Sequence, residues 1–200
     1  MGPERLSTAA ADAVVEVLCD AFAGYPTFRY VLDGPAPRDD PSLRALVRFF
    51  VMARLWRGHP VLGVRADDRV VAAATVTPPD PGPSPEPLDR LREATWARLG
   101  EEARSRYEAF GRAAAAFRVD APHHYLNMIG VAGAHRGKGL ARPLLDAVHG
   151  LTADHPLSGG VMLTTEAPEN LPLYDRFGYA RVGHERVDSE LETWGFFRPC

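Results

Sequence analysis

The sequence predicts a mixed α/β or α+β sandwich, a central sheet flanked by helices. Three observations predict it. From residue 123 onward, apolar segments follow one another as strand, helix, strand, helix, strand, strand. Upstream, two amphipathic helical patterns lead into a hairpin signal. Between residues 128 and 148, a short apolar run ends in a glycine-rich, basic turn that opens directly into an amphipathic helix.

Element by element, Ser7 or Thr8 is placed to cap a first helix reaching Phe22, with Val14, Val17, Leu18 and Ala21 on one stripe. Residues 25–32 are rich in aromatics and broken by Pro26, which predicts a turn plus a short helix. A second amphipathic helix runs over 39–56, with Leu43, Leu46, Val47, Phe50 and Ala53 or Arg54 along its face. Residues 60–65 and 69–77 surround Ala66-Asp67-Asp68, a hairpin pattern. Six prolines within residues 78–87 rule out helix and central strand there, leaving a surface loop whose simplest role is a spacer. A long, solvated helix is predicted over 88–117, with Glu102/Arg106 and Glu108/Arg112 at i,i+4 in the favourable order. Strand 124–131, helix 139–151, strand 161–165, a short helix over 170–177 and a closing pair, 179–187 with 191–197, complete the chain. No internal repeat is present.

Two hundred residues suit a single domain spanning 1–200, long enough to bury a substantial core. A net charge of −3 argues against non-specific nucleic-acid binding, which needs a basic field. Cys19 and Cys200 lie too far apart in sequence for a disulfide framework or a metal cluster, so no metal is expected. With no apolar leader and no apolar span near 18 residues, the expected location is cytoplasmic and no membrane partner is expected. A homodimer is left open.

The basic turn carries the chemistry. Leu140, Leu144, Leu145 and Val148 keep helical spacing, so the turn aims the unpaired N–H groups of a helix start, together with Arg136 and Lys138, at whatever lies above it. Such a site favours phosphate. Two nucleotide motifs fail. Gly133 is followed by only three residues before Gly137-Lys138, and Gly139 stands where a P-loop needs Ser or Thr. A dinucleotide fingerprint would need glycine where Arg142 stands.

The run Arg136-Gly137-Lys138-Gly139-Leu140-Ala141 does match an Arg-x-x-Gly-x-Ala pattern following a strand. It resembles the pyrophosphate loop of the GNAT superfamily of acetyl-CoA-dependent N-acetyltransferases. About thirty residues on, Asn170, Tyr174 and Gly178-Tyr179 resemble that family's Asn-x-x-x-x-Tyr-x-x-x-Gly-Phe segment, with one residue fewer between Asn and Tyr and tyrosine in place of phenylalanine. The resemblance covers 123–187 closely, the acetyl-CoA-binding core, and the first two helices and hairpin loosely. The stretch before Leu6 leaves room for at most a very short first strand, and the 88–117 helix exceeds what the family core requires, reading as a helical insertion.

The resemblance implies a sheet splayed at two strands, with acetyl-CoA as cosubstrate. Its pyrophosphate would rest on residues 137–142, that is Gly137, Lys138, Gly139, Leu140, Ala141 and Arg142, with Arg136 adding charge-assisted contacts. Pro143 is tolerable if it falls in the first helical turn. The pantetheine amides would meet the exposed edge at residues 128–131, with backbone N–H at Ile129 or Val131 pairing with the ligand and stabilising the oxyanion. Gly130 in that strand indicates either a bulge that frees backbone groups or a tight packing point. Asn170 either caps its helix or contacts the ligand. Tyr174, with Leu173 and Phe177 on the other side, either donates a proton to the departing thiolate or is a core tyrosine. Glu166, at the C-terminal end of its strand, is the first candidate for the base that an ammonium acceptor requires; His123, His124 and Tyr125 are weaker ones, and Asn127 is placed to orient water or substrate. Tyr25, Phe28 and Tyr30 either line the acceptor site or belong to the core.

These residues imply transfer of acetyl from acetyl-CoA to a small primary amine by direct attack in a ternary complex. No acyl-enzyme is expected, because neither cysteine lies in the motif region. Two alternatives stand beside this reading: a non-catalytic acyl-CoA-binding sensor, and a protein N-terminal or lysine acetyltransferase.

Overall fold

Seven strands build one sheet: β1 (Glu4–Arg5), β2 (Val61–Ala66), β3 (Arg69–Thr77), β4 (His124–Val131), β5 (Gly160–Thr165), β6 (Ala180–Arg186) and β7 (Glu192–Pro199). The structure, a computed structural model, describes residues 2–200; Met1, the first residue of the expected 1–200 domain, lies outside them. Strand order is β1-β2-β3-β4-β5-β7-β6, and only β4 and β5 run parallel. The helices are α1 (Ala11–Phe22), α2 (Pro26–Val31), α3 (Pro41–Leu55), α4 (Glu86–Leu99), α5 (Glu101–Ala114), α6 (Ala141–Ala153) and α7 (Leu171–Arg176). Among the described residues, no helix is long and apolar enough to cross a membrane.

Local chemistry sets most boundaries where the sequence suggested. Ser7 Oγ accepts from Ala9 N at the start of a short 3₁₀ turn leading into α1. Asp40 Oδ1 caps α3 by accepting from the Ser42 and Leu43 N–H groups, and Pro41 fills the first turn, where a missing donor costs nothing. Asp67 and Asp68 both take positive φ, the turn that matches the twist of a two-residue hairpin. The first strand is two residues long.

The expected single helix over 88–117 is instead two, α4 and α5. Gly100, at φ +91°, stops the first while its N–H still bonds Trp96 O. Nor is this pair merely solvated. Leu88 and Ala103 are buried, and Trp96 and Tyr107 pack on Phe49 and Phe50 of α3. Beyond α5, the Phe117 ring seats on the paired glycines of β6 and β7; a Cβ at Gly183 or Gly195 would lie 2.3 or 2.6 Å from it. The charged face is also arranged differently from expectation. Arg106 reaches Asp33 at 3.0 Å and Glu102 at 4.0 Å, while Glu108 pairs with Arg104 rather than Arg112.

Two cores lie on the two faces of the sheet. One packs α1, α3 and the α4–α5 pair on Ala73, Met128 and their neighbours. The other packs Leu144, Leu145 and Val148 of α6, with Leu140 partly buried beside them, on Ala74, Leu126, Leu163 and Phe196. Each fully buried aliphatic side chain contributes about 1.5–3 kcal/mol of transfer free energy.

The central strands separate. β4 pairs with β5 only at His124↔Val161 and Tyr125↔Met162, so from Leu126 onward the β4 edge facing β5 has no strand partner. A bulge does sit in β4, but at Asn127 rather than Gly130: β3 residues Thr75 and Val76 pair with Met128 and Leu126, skipping Asn127. That extra residue breaks the alternation, so Met128 joins Tyr125 and Asn127 on one face. Gly130 has the other explanation. A Cβ there would meet Ala21 Cβ at 2.5 Å and Leu18 Cδ2 at 3.2 Å, so the glycine lets α1 lie directly on the strand.

Gly130→Ala should therefore cost about 1–3 kcal/mol through overpacking. Pairing it with Ala21→Gly should recover part of that loss; denaturant unfolding of the four proteins in a double-mutant cycle reads the coupling, and additive effects would disprove the close-approach explanation.

Candidate functional site

A cavity of about 540 Å³ opens where β4 and β5 part, walled by α1, α2, α3, α5 and the start of α7. It brings together residues distant in sequence: Tyr25 and Thr27 from the α2 entry, Arg54 from α3, Tyr107 from α5, Tyr125 through Val131 from β4, and Glu166, Asn170 and Tyr174 beyond β5.

The glycine-rich turn follows Arg136, the one residue of that segment in the lining; residues 137–142 lie outside it. Gly137 and Gly139 hold φ of +75° and +76°, and a Cβ at either would project into open space. Among the described residues, the backbone N–H groups of 137–140 find no acceptor within the chain. α6 begins at Ala141, which puts Pro143 in the first turn, where proline is tolerated. Arg136 behaves differently from expectation. Its Nη2 donates to Asp20 O and Ala21 O at 3.1 and 3.2 Å, capping the C-terminal carbonyls of α1, although it also lines the cavity. Asp20 returns the tie by accepting from Gly133 N. Lys138 is exposed, and Arg142 lies over the Phe177 ring at 4.9 Å. Ile129, Gly130 and Val131 line the cavity along the unpaired β4 edge.

In the middle lie Tyr174 and Asn170. Tyr174 is buried, its ring against Tyr179 and Phe196, so it is a core tyrosine that also lines the cavity. Burial, then the nearby Glu166 and Tyr125, push its phenol well above the ordinary 10. Asn170 stands at the α7 N-terminus yet does not cap it with its side chain; Nδ2 donates to Thr165 Oγ1 at 3.1 Å.

Glu166 is buried, with Oε2 accepting from Thr27 Oγ1 and Oε1 from Thr193 Oγ1, each at 2.7 Å. Burial raises its carboxyl above the ordinary 4.5, and the threonine hydroxyls oppose that rise. Tyr25 closes the web, taking Glu166 N at 3.1 Å and bonding Thr165 Oγ1 at 2.9 Å. Phe28 also lines the cavity, whereas Tyr30 does not; its hydroxyl donates to Asp188 outside it.

The weaker base candidates divide. His124 is turned away from the cavity, its Nδ1 bonded to Ser158 Oγ, and burial holds its imidazole near 4. His123 bonds Ala121 O and is likewise outside. Tyr125 does line the cavity, donating to Thr164 Oγ1 at 3.1 Å, with burial pushing its phenol up to about 12.

Sequence reasoning missed Tyr107 and treated Arg54 only as a face position. Both carried a signal. Arg54 follows Leu43, Val47 and Phe50 on one helical stripe, and Tyr107 falls between Ala103 and Phe110 on another. Arg54 Nε donates to Asn127 Oδ1 at 3.1 Å, and that same oxygen accepts from Thr77 Oγ1 at 2.8 Å. Burial lowers the Arg54 guanidinium to about 10.

Residues 95–194 match the family model described as an acetyltransferase (GNAT) domain. Among solved structures, the chain is similar to the histone acetyltransferase HPA2 and related acetyltransferase from Corynebacterium glutamicum, at 24% identity and a TM-score of 0.65, covering all of this chain and 98% of that one. It is similar to an agmatine N-acetyltransferase at 16% identity and a TM-score of 0.69, covering 99% and 98% of the two chains. A polyamine N-acetyltransferase from Drosophila melanogaster, at 16% identity and a TM-score of 0.63, covers 99% of each. At such identities the likeness is one of fold. The domain match, by contrast, takes in half of the chain, from α4 across the parting strands to β7; the chain belongs to the GNAT acetyltransferase family and is an acyltransferase.

Proposed function

We propose that the protein transfers acetyl from acetyl-CoA to a primary amine of a small molecule, by direct attack within a ternary complex. One observation carries this reading: a single cavity joins the unpaired β4 edge, Tyr174 and Glu166, so a thioester laid along the edge meets an amine arriving from the α2 and α5 side. The family uses acetyl-CoA, and the chain offers groups that suit it. Residues 137–140 present unpaired N–H donors to a pyrophosphate, and the two left-handed glycines remove the side chains that would block approach. Bound there, acetyl-CoA supplies a thioester carbonyl as the electrophile.

Each remaining task falls to a side chain or backbone group already placed. Ile129 and Val131 lie on the free edge, where their N–H groups are the candidate donors to a developing oxyanion. Glu166 is the candidate base. An alkylammonium with a pKa of about 10.4 has no lone pair, and a carboxylate with two of its lone pairs held by Thr27 and Thr193 keeps others for a proton. Tyr174 is the candidate donor to the departing thiolate. Its raised phenol sits above a thiol of about 8.5, so outright proton transfer is uphill and a hydrogen bond to the sulfur is the contribution expected of it.

Release of free CoA thiol in the presence of an amine panel tests the reaction itself; tight acetyl-CoA binding without release from any amine would favour a sensor. Gly139→Val, which strains a φ of +76° and fills the approach, should weaken acetyl-CoA by about tenfold or more in calorimetry; unchanged affinity in a folded variant would remove the pyrophosphate assignment. Because burial raises the Glu166 carboxyl, its basic form appears only as pH climbs past a value above 4.5, so kcat/KM should rise with pH through that inflection. Glu166→Gln should erase the inflection and slow turnover by about 10²–10⁴-fold, whereas Tyr174→Phe should lower kcat by about tenfold or more with little change in acetyl-CoA affinity. Retention of the inflection in Glu166→Gln would move the base elsewhere.

A further inference from the structure

We infer that the acceptor amine carries a carboxylate, and that Arg54 receives it: the preferred substrates are small aminocarboxylates rather than simple alkylamines or polyamines. The inference rests on the acetyltransfer reading above and specifies its acceptor.

Arg54 is a cation without a counterion. It lines the cavity from α3, and no carboxylate lies within 4.0 Å of it among the described residues, whereas nine of the chain's 22 arginines pair with one there. Of its five N–H donors, Nε is taken by Asn127 Oδ1, and Nη1 makes one long contact with Phe50 O at 3.5 Å. Among the described residues, the Nη2 group finds no protein acceptor. Its charged neighbour is Arg57, which only adds repulsion, and the phenols of Tyr107 and Tyr125 stand beside it. A half-buried guanidinium left without a counterion is under-satisfied, and a carboxylate matches its planar fork in a bidentate geometry.

The surroundings hold the group in that state. Asn127, the bulged residue of β4, accepts Nε on its Oδ1, and Thr77 anchors the same oxygen from β3. Nε is therefore fixed, and Arg54 lines the cavity with Nη2 free of protein acceptors among the described residues. Glu166, also in the lining, is an acid without a cation among the described residues, its oxygens bonded there only to neutral hydroxyls. Arg54 and Glu166 do not pair, yet Tyr125 lies near enough to sense both, Glu166 raising its phenol and Arg54 lowering it. One ligand bearing both an ammonium and a carboxylate would neutralise the two sites together. A diamine or polyamine would set a second ammonium against Arg54.

The test is a matched acceptor series followed by CoA thiol release: ω-amino acids from glycine to 6-aminohexanoate, the n-alkylamines of equal length, the corresponding diamines, and aminoalkylphosphonates. The inference expects kcat/KM at least about tenfold higher for an aminocarboxylate than for its alkylamine and its diamine, with phosphonates weaker than carboxylates. Arg54→Gln should raise KM for aminocarboxylates by about 10- to 100-fold with little change in kcat, leave the alkylamines unaltered, and be partly rescued by Arg54→Lys. Diamines matching or exceeding aminocarboxylates in the unmodified protein would overturn the inference, as would an Arg54→Gln variant that slows every acceptor alike; a preference for phosphonates would replace the carboxylate with another anion. Direct binding keeps the two readings apart. If no acceptor releases thiol, acetyl transfer to small amines fails, while thermal stabilisation by aminocarboxylates that vanishes in a folded Arg54→Gln would still establish the anion site.

Discussion

The parting of β4 from β5 after two residue pairs is the constraint on which the rest of the molecule depends. A parallel pair that stops at Tyr125↔Met162 leaves backbone donors and acceptors without a ladder partner, and such groups are expensive to leave dry. Only a chain that gains elsewhere keeps such an opening. Here both faces of the diverging strands stay packed, by α1 and α3 on one side and by α6 on the other, so the gap is held open by two cores rather than by one flexible loop. Gly130 contributes to that rigidity, because α1 rests on β4 at a distance no side chain would permit.

The bulge at Asn127 links the open edge to the far wall of the cavity. Without it, the alternation that puts Tyr125 and Asn127 on one face would turn Met128 toward the α6 face; with it, Tyr125, Asn127 and Met128 share the α1–α3 face. A single extra residue thus accompanies the loss of pairing with β5, and that residue's amide holds Arg54. In the proposed reading, the strand along which the thioester lies is the same strand that orients the acceptor. Small changes in its register would therefore act on both substrates at once.

Legibility in the sequence followed the range of the interaction. The turn at 136–141 and the segment from Glu166 to Tyr179 were readable because they are local: glycines at left-handed positions, a helix start, and residues one helical turn apart. The hairpin, the capped helices and the short first strand were readable for the same reason. Gly130 was ambiguous, since a strand glycine serves either a bulge or a close approach, and only the position of α1 decides between them. Gly100 was hidden by good helix formers on both sides, so two helices looked like one. Arg136 matched a ligand-binding pattern, but its guanidinium reaches the end of α1, more than a hundred residues earlier in the chain. Arg54 and Tyr107 escaped because their meaning is wholly tertiary. Each sits on an apolar stripe as a polar exception, and nothing in either helix alone reveals that the two stripes face one cavity.

That cavity concentrates groups that folding alone would not favour. Among the described residues Glu166 is buried without a cation and Arg54 half-buried without an anion, while Tyr25, Tyr125 and Tyr174 are all driven toward their neutral forms by burial. Had the two charges been placed in contact they would have stabilised each other and closed the space between them. Their separation leaves the space with two polar walls beside the apolar Phe22, Phe28 and Phe50. Unmet charge at fixed positions is a form of preorganisation: the cost of desolvating Glu166 and Arg54 is met when the chain folds, so a ligand with complementary charges has only its own desolvation to overcome. The stability lost to those two side chains is then recovered on binding, and most fully by the ligand whose charges match both.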